Sequence, residues 1–252
     1  MKPVFRYVYD RSFEGFLTCI YHFYKTGDRV SEICCDDIHT SFLVESKKIE
    51  TDQKLSNKVS DAIAKQVSYD ALMQIYFAFL SELPGRELYL LDYIRLLFKH
   101  GSCIEHQLTR ECVQKVRTMS RKTSRERHRM LGLVRFQIYK NILYAPIETE
   151  CFVLPVLGGH FQKRMPNEIF MIHDVKRSMA LTYDRRILAL FPLKESELDR
   201  HRREDFFEQL WQSYHTHLSI EERKNPKLQS QHMPKKYWKY LTEMVPEGSE
   251  DR

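Results

Sequence analysis

The densest positive stretch of the chain is Arg121-Lys122-Thr123-Ser124-Arg125-Glu126-Arg127-His128-Arg129, with four Arg and one Lys against a single Glu. On a helix, Arg121, Arg125 and Arg129 recur every four residues and share one face, with Lys122 beside it. Guanidinium groups at that spacing suit phosphates, because each planar fork donates two parallel hydrogen bonds to an oxyanion. The competing reading is a solvated face paired with acidic residues such as those between Glu195 and Asp205. Like charges one turn apart repel each other, which favours a face that meets an anion.

A second group of candidates lies further along. His160 follows Gly158-Gly159 and precedes Arg164. Two glycines permit close backbone approach and can leave amides free for an anion, with His160 as a titratable neighbour. His173-Asp174 precedes Arg177 at a predicted turn, where Asp174 is placed to orient a His or an Arg. His160, His173 and Asp174 are therefore the catalytic candidates. A shared cleft for His160, Arg164, Asp174 and Arg177 is an expectation that the fold must test. The bland alternatives are a core His beside Phe161, an Asx-capped turn, and an Asp–Arg pair that only ties two elements together.

Two C-terminal runs interleave basic, amide and aromatic groups. They are Arg223-Lys224-Asn225-Pro226-Lys227-Leu228-Gln229 and Pro234-Lys235-Lys236-Tyr237-Trp238-Lys239-Tyr240. That mixture can hold phosphates and stack bases, so Asn225, Gln229 and Lys236 join the candidate contacts. The alternative is a charged terminal helix with Trp238 packed inward.

Several chemistries have no signature. Phosphate-binding loops, dinucleotide fingerprints and the nucleophile elbow are missing. His215 and His217 form H-x-H, which on a helix points the two rings apart. The six cysteines include no C-x-x-C pair and no radical-SAM cysteine triad. They read as reduced thiols of a cytoplasmic protein. No metal and no cofactor is expected, and no apolar run is long enough to span a bilayer. The net charge of +6 favours anionic partners without naming one. Nothing in the sequence gives an oligomeric state.

The elements that must position these residues follow from periodicity. Residues 5–9 alternate as a strand. Ser12 caps a helix that Gly27 ends. A short strand is predicted at 41–45, then helices over 52–67, 68–83 and 88–99. The helix from 109 to about 133 carries Val113, Val116 and Met119 on its apolar side. Beyond it the period alternates. Strands at 134–139 and 143–147 form one hairpin across Lys140-Asn141-Ile142, and 168–173 and 179–183 form another. Between them lies a helix over 150–163, interrupted at Pro155 and Gly158-Gly159. A long charged helix over 196–218 carries Phe206, Phe207, Leu210, Trp211 and Tyr214. The class is α+β: a helical N-terminal half, then a small antiparallel ββ-α-ββ sheet with flanking helices. The regions are 1–130, 131–245 and a polar tail, 246–252.

Motifs along nearly the whole chain resemble a family of bacterial proteins assigned to DNA repair or DNA metabolism, which contain a domain of unknown function. They begin with Tyr9-Asp10-x-Ser12-Phe13-Glu14-Gly15 and Thr51-Asp52, and continue with Glu126-x-His128-Arg129-x-x-Gly132-x-x-Arg135-Phe136. Denser matches follow: Leu143-Tyr144-Ala145-Pro146-Ile147-Glu148, His160-Phe161-x-x-Arg164, His173-Asp174-x-x-Arg177, Asn225-Pro226-x-Leu228-Gln229 and Tyr237-Trp238-x-Tyr240. The resemblance implies genomic pairing with a radical SAM protein carrying a helix-hairpin-helix region. It also implies kinship with a domain fused to some uracil-DNA glycosylases. On that footing Arg135 joins Arg121, Lys122, Arg125, Arg129, Arg164 and Arg177 as expected DNA contacts. The expected role is a DNA-binding accessory protein. Two alternatives stand beside it: a nuclease or base-processing hydrolase, and a structural partner that never touches DNA. The chain departs from the family at Asn141-Ile142, where a glycine turn is expected, and at Gly158-Gly159, where larger residues are common.

Overall fold

Strand β1 (Val4–Val8) turns Arg6, Tyr7 and Val8 into the interior and sits at the centre of a three-stranded sheet. The coordinates are a computed structural model that describes residues 3–35, 44–194, 196, 226–241 and 244. They divide into two units, Met1–Ser124 and Arg125–Arg252.

In the first unit β1 leads into α1 (Phe13–Thr26) and back to β2 (Arg29–Cys34). Ser12 caps α1 by accepting from the Gly15 amide, and Gly27, at φ 65°, closes it by donating to the Phe23 carbonyl. β1 pairs in parallel with β2 on one side and with β3 (Glu45–Lys48) on the other. A three-stranded parallel sheet in this half corrects the expectation of a mainly helical region with a leading strand and one short strand at 41–45. β2 and β3 are polar, Arg-Val-Ser-Glu-Ile-Cys and Glu-Ser-Lys-Lys, so neither shows the apolar run of a buried strand. Most of the expected strand at 41–45 lies outside the described residues. The helices follow as predicted: α2 (Gln53–Gln66) capped by Asp52, α3 (Tyr69–Phe79) capped by Ser68, and α4 (Arg86–His100). A 3-10 turn, Gly101–His106, precedes α5 (Glu111–Leu133). The division between the units falls within α5.

The second unit is a five-stranded sheet in chain order, β4 (Gln137–Tyr139), β5 (Ile142–Ile147), β6 (Phe170–Asp174), β7 (Met179–Tyr183) and β8 (Leu188–Pro192). The predicted antiparallel ββ-α-ββ sheet is corrected in two ways. A further strand, β8, extends the edge, and β5 pairs with β6 in parallel. The reason is α6 (Leu154–Arg164), which carries the chain from the end of β5 back to the start of β6. A helical crossover leaves its two strands parallel when they lie side by side.

α6 is continuous, contrary to the predicted interruption. Pro155 sits in its first turn, where a missing amide is harmless. Gly158 is there for packing: a Cβ would stand 2.7 Å from Leu181 Cδ2. Leu154, Leu157 and Phe161 of α6 press on Phe170, Ile172 and Leu181 to make the core. Apart from Ser196, the predicted helix over 196–218, with His215 and His217, lies outside the described residues, as does Asn225.

Candidate nucleic-acid interface

α5 sorts its residues by period. Val113, Val116, Met119, Thr123, Glu126 and Met130 are buried, at intervals of three or four. The outward face carries Lys115, Arg121, Arg125, His128 and Arg129, all exposed. Arg121, Arg125 and Arg129 rise about 6 Å from one to the next along the axis. Among the described residues none of the three forms an ion pair. Lys122 and Arg127 are half-buried, and Arg127 Nε donates to the Val156 carbonyl at 2.8 Å.

The one acid in this run faces the other way. Glu126 is 3 % exposed. Its Oε2 accepts from the Cys151 amide at 2.7 Å. Its Oε1 accepts from the Glu150 amide at 2.9 Å and the Tyr237 hydroxyl at 2.7 Å. Burial raises its pKa, but those three hydrogen bonds outweigh burial and hold it below the usual carboxylate value. Turning Glu126 inward leaves the outer face of the Arg121–Arg129 run without a carboxylate.

The C-terminal candidates are engaged within the protein. Lys236 pairs with Glu150 at 2.6 Å, and Lys239 and Tyr240 both reach Glu148 Oε1, at 2.7 and 2.6 Å. The indole of Trp238 donates to the Met233 carbonyl. These residues form a 3-10 turn, Lys235–Tyr240, preceded by α7 (Pro226–His232). Gln229 is half-buried, its amide nitrogen 3.8 Å from Met244 sulfur. Tyr237 is the ring packed inward here, whereas Trp238, expected to be buried, is half-buried and Lys236 is exposed. Arg135 is half-buried and donates to the Gly132 carbonyl at 2.8 Å.

The expected convergence of His160, Arg164, Asp174 and Arg177 is corrected. Phe161, next to His160, packs its ring 6.4 Å from Phe170, the first residue of β6. Asp174 is the last residue of β6, roughly 13 Å away along the strand. There Asp174 is wholly buried and accepts from Arg177 Nη1 at 2.7 Å. Arg177 also donates to the Thr149 and Glu150 carbonyls, at 3.1 and 2.8 Å, and its guanidinium lies over the Phe152 ring. This pair ties β6 to the segment that enters α6. Arg164 is exposed at the other end of α6.

His173 also fills a structural position. It is 0 % exposed; Nε2 lies 3.1 Å from the Leu193 carbonyl and Nδ1 2.9 Å from the Tyr144 hydroxyl. A carbonyl only accepts, so Nε2 carries a proton, and in the neutral ring Nδ1 accepts from Tyr144. The anion nest expected at Gly158-Gly159 does not form, because both glycines lie inside α6 with their amides in the helix. His160 sets its ring edge-on to Phe161 at 5.1 Å, and its buried Nε2 has no hydrogen-bond partner among the described residues.

A family model described as a domain of unknown function, DUF4130, matches residues 84–243. The chain belongs to that family. The matched span of DUF4130 takes in α5, the five-stranded sheet and the C-terminal turn, and leaves out the parallel sheet of the first unit. Comparison with curated proteins gave no match. Among the described residues, no helix is long and apolar enough to cross a membrane and no cluster could hold a metal ion.

Proposed function

We propose that this DUF4130 protein binds DNA through the outward face of α5, as an accessory protein in DNA repair or nucleic-acid processing. The observation that carries the reading is the row of exposed Arg121, Arg125 and Arg129, from which the neighbouring acid, Glu126, has been turned away. Three solvated guanidiniums one turn apart, none of them ion-paired among the described residues, suit the phosphates of a strand. The repair context and the radical SAM partner rest on the sequence resemblance alone. Co-purification with such a partner, with and without DNA, tests that part. The hydrolase reading is weaker, because His173 and Asp174 are wholly buried and each is held by internal partners.

The interface is tested by salt titration. Each phosphate contact adds roughly 0.7–0.9 to the slope of log K against log salt. Replacing Arg121, Arg125 and Arg129 with Gln is expected to flatten that slope by about two units and to weaken binding on all sequences alike. An unchanged slope in the triple variant would reject the α5 face.

A further inference from the structure

In the first unit, beside the N-terminal end of the arginine row, α3 and α5 line an open, shallow cleft of about 370 Å³. Asp70, Met73, Gln74 and Phe77 line it from α3, and Arg117 and Arg121 from α5. Residues 70, 73, 74 and 77 are spaced to share one helix face. The size is at the lower end of the roughly 300–1,000 Å³ usual for ligand pockets. Its chemistry is divided. Phe77 and Met73 supply flat and soft apolar surface, whereas the two arginines supply positive charge at the other wall. Gln74 Oε1 accepts from the Tyr93 hydroxyl at 3.2 Å, which leaves the amide N–H groups to donate.

We infer that this cleft receives an unpaired nucleobase, with the flanking phosphates held by Arg117 and Arg121, and that the preferred ligand is therefore single-stranded DNA. The inference rests on the proposed DNA-binding role and adds to it the state of the strand. An apolar ring next to guanidiniums matches a base next to its phosphates. The Gln74 amide faces acceptors that every base carries on its edge, so the cleft admits bases without strong sequence preference. In a duplex those bases are stacked and paired, and entry to the cleft would require unstacking.

The test is fluorescence anisotropy with the full chain and three labelled ligands of equal phosphate count: a mixed-sequence single strand, the same strand with abasic sites throughout, and a duplex. The expected result is about tenfold tighter binding of the single strand than of the abasic strand, with equal salt slopes. Ser124→Phe fills the cleft from an exposed position on α5 and is expected to remove that preference while leaving the slope intact; Gln74→Ala is expected to reduce it. Circular dichroism and thermal melting establish that both variants are folded. Equal binding of the normal and abasic strands by wild type overturns the cleft and leaves the arginine row standing. A tenfold preference that persists in folded Ser124→Phe also overturns it. If no strand binds in a salt-dependent way, the cleft and the proposed function fall together.

Discussion

Glu126 shows how a residue in a charged run can belong to the interior. Its three donors come from the amides of Glu150 and Cys151 and from Tyr237. Truncation leaves all three unsatisfied in a buried place, so Glu126→Ala is expected to lower stability by roughly 3 kcal/mol in urea unfolding at pH 7. The pH sign follows from the depressed folded pKa. The stabilisation is complete above the unfolded carboxylate value, about 4.3, and is lost as pH falls through the lower folded value. Glu126→Gln is expected to lack that acid-side loss; an identical pH profile in wild type and variant would contradict it. The arginines were legible from the sequence because Arg121, Arg125 and Arg129 obey a helical period. The burial of His173 and Asp174 was not legible, because a sequence shows a titratable residue but not the partners that surround it. The cleft residues Asp70, Met73, Gln74 and Phe77 were missed, although their spacing on α3 was a readable signal.

At the scale of elements, α6 offers a direct comparison of two adjacent glycines. A Cβ on Gly158 would meet Leu181 at 2.7 Å and Leu188 at 3.2 Å. Overpacking of this kind costs about 1–3 kcal/mol and exceeds the helix preference of Ala. A Cβ on Gly159 meets nothing within 4 Å. Gly158→Ala is thus expected to destabilise, and Gly159→Ala to stabilise by about 0.5–1 kcal/mol, as read from paired thermal melts. Equal shifts of the same sign would show that α6 does not pack on β7 as described. Helix boundaries were legible wherever a side chain caps them, as at Ser12, Asp52 and Ser68. The hairpin at Lys140-Asn141 was located but its chemistry was not. Both residues have positive φ, 46° and 66°, and form a two-residue turn without glycine. Pairing direction was the least legible property. The strands β5 and β6 have no residue that announces a parallel neighbour; the helix between them decides it.

For the whole molecule, a net charge of +6 gives general attraction to polyanions, and the α5 row focuses it. Contacts from arginine to phosphate carry no sequence information. Two duplexes of unrelated sequence are therefore expected to bind within about twofold of each other at equal salt; a tenfold preference would call for base readout that α5 does not supply. The α+β class was legible, because the change from helical to alternating period near residue 134 survives in the structure as the passage from α5 to β4. The parallel sheet of the first unit was not, since β2 and β3 are polar strands without an apolar run.

The Tyr237–Glu126 hydrogen bond spans 111 residues of chain. A ribosome adding about 5–20 residues per second needs roughly 6–22 s to travel from one partner to the other. Throughout that interval the nascent chain has Glu126 but not the hydroxyl that completes its shell, and Glu148 and Glu150 wait for Lys239, Tyr240 and Lys236 in the same way. The contacts that Lys236, Tyr237, Lys239 and Tyr240 make with Glu150, Glu126 and Glu148 therefore form only after residue 240 has left the exit tunnel. A message broken between codons 193 and 235 yields a chain with every sheet strand but without the Lys236, Tyr237, Lys239 and Tyr240 side chains that meet Glu150, Glu126 and Glu148 in the finished protein.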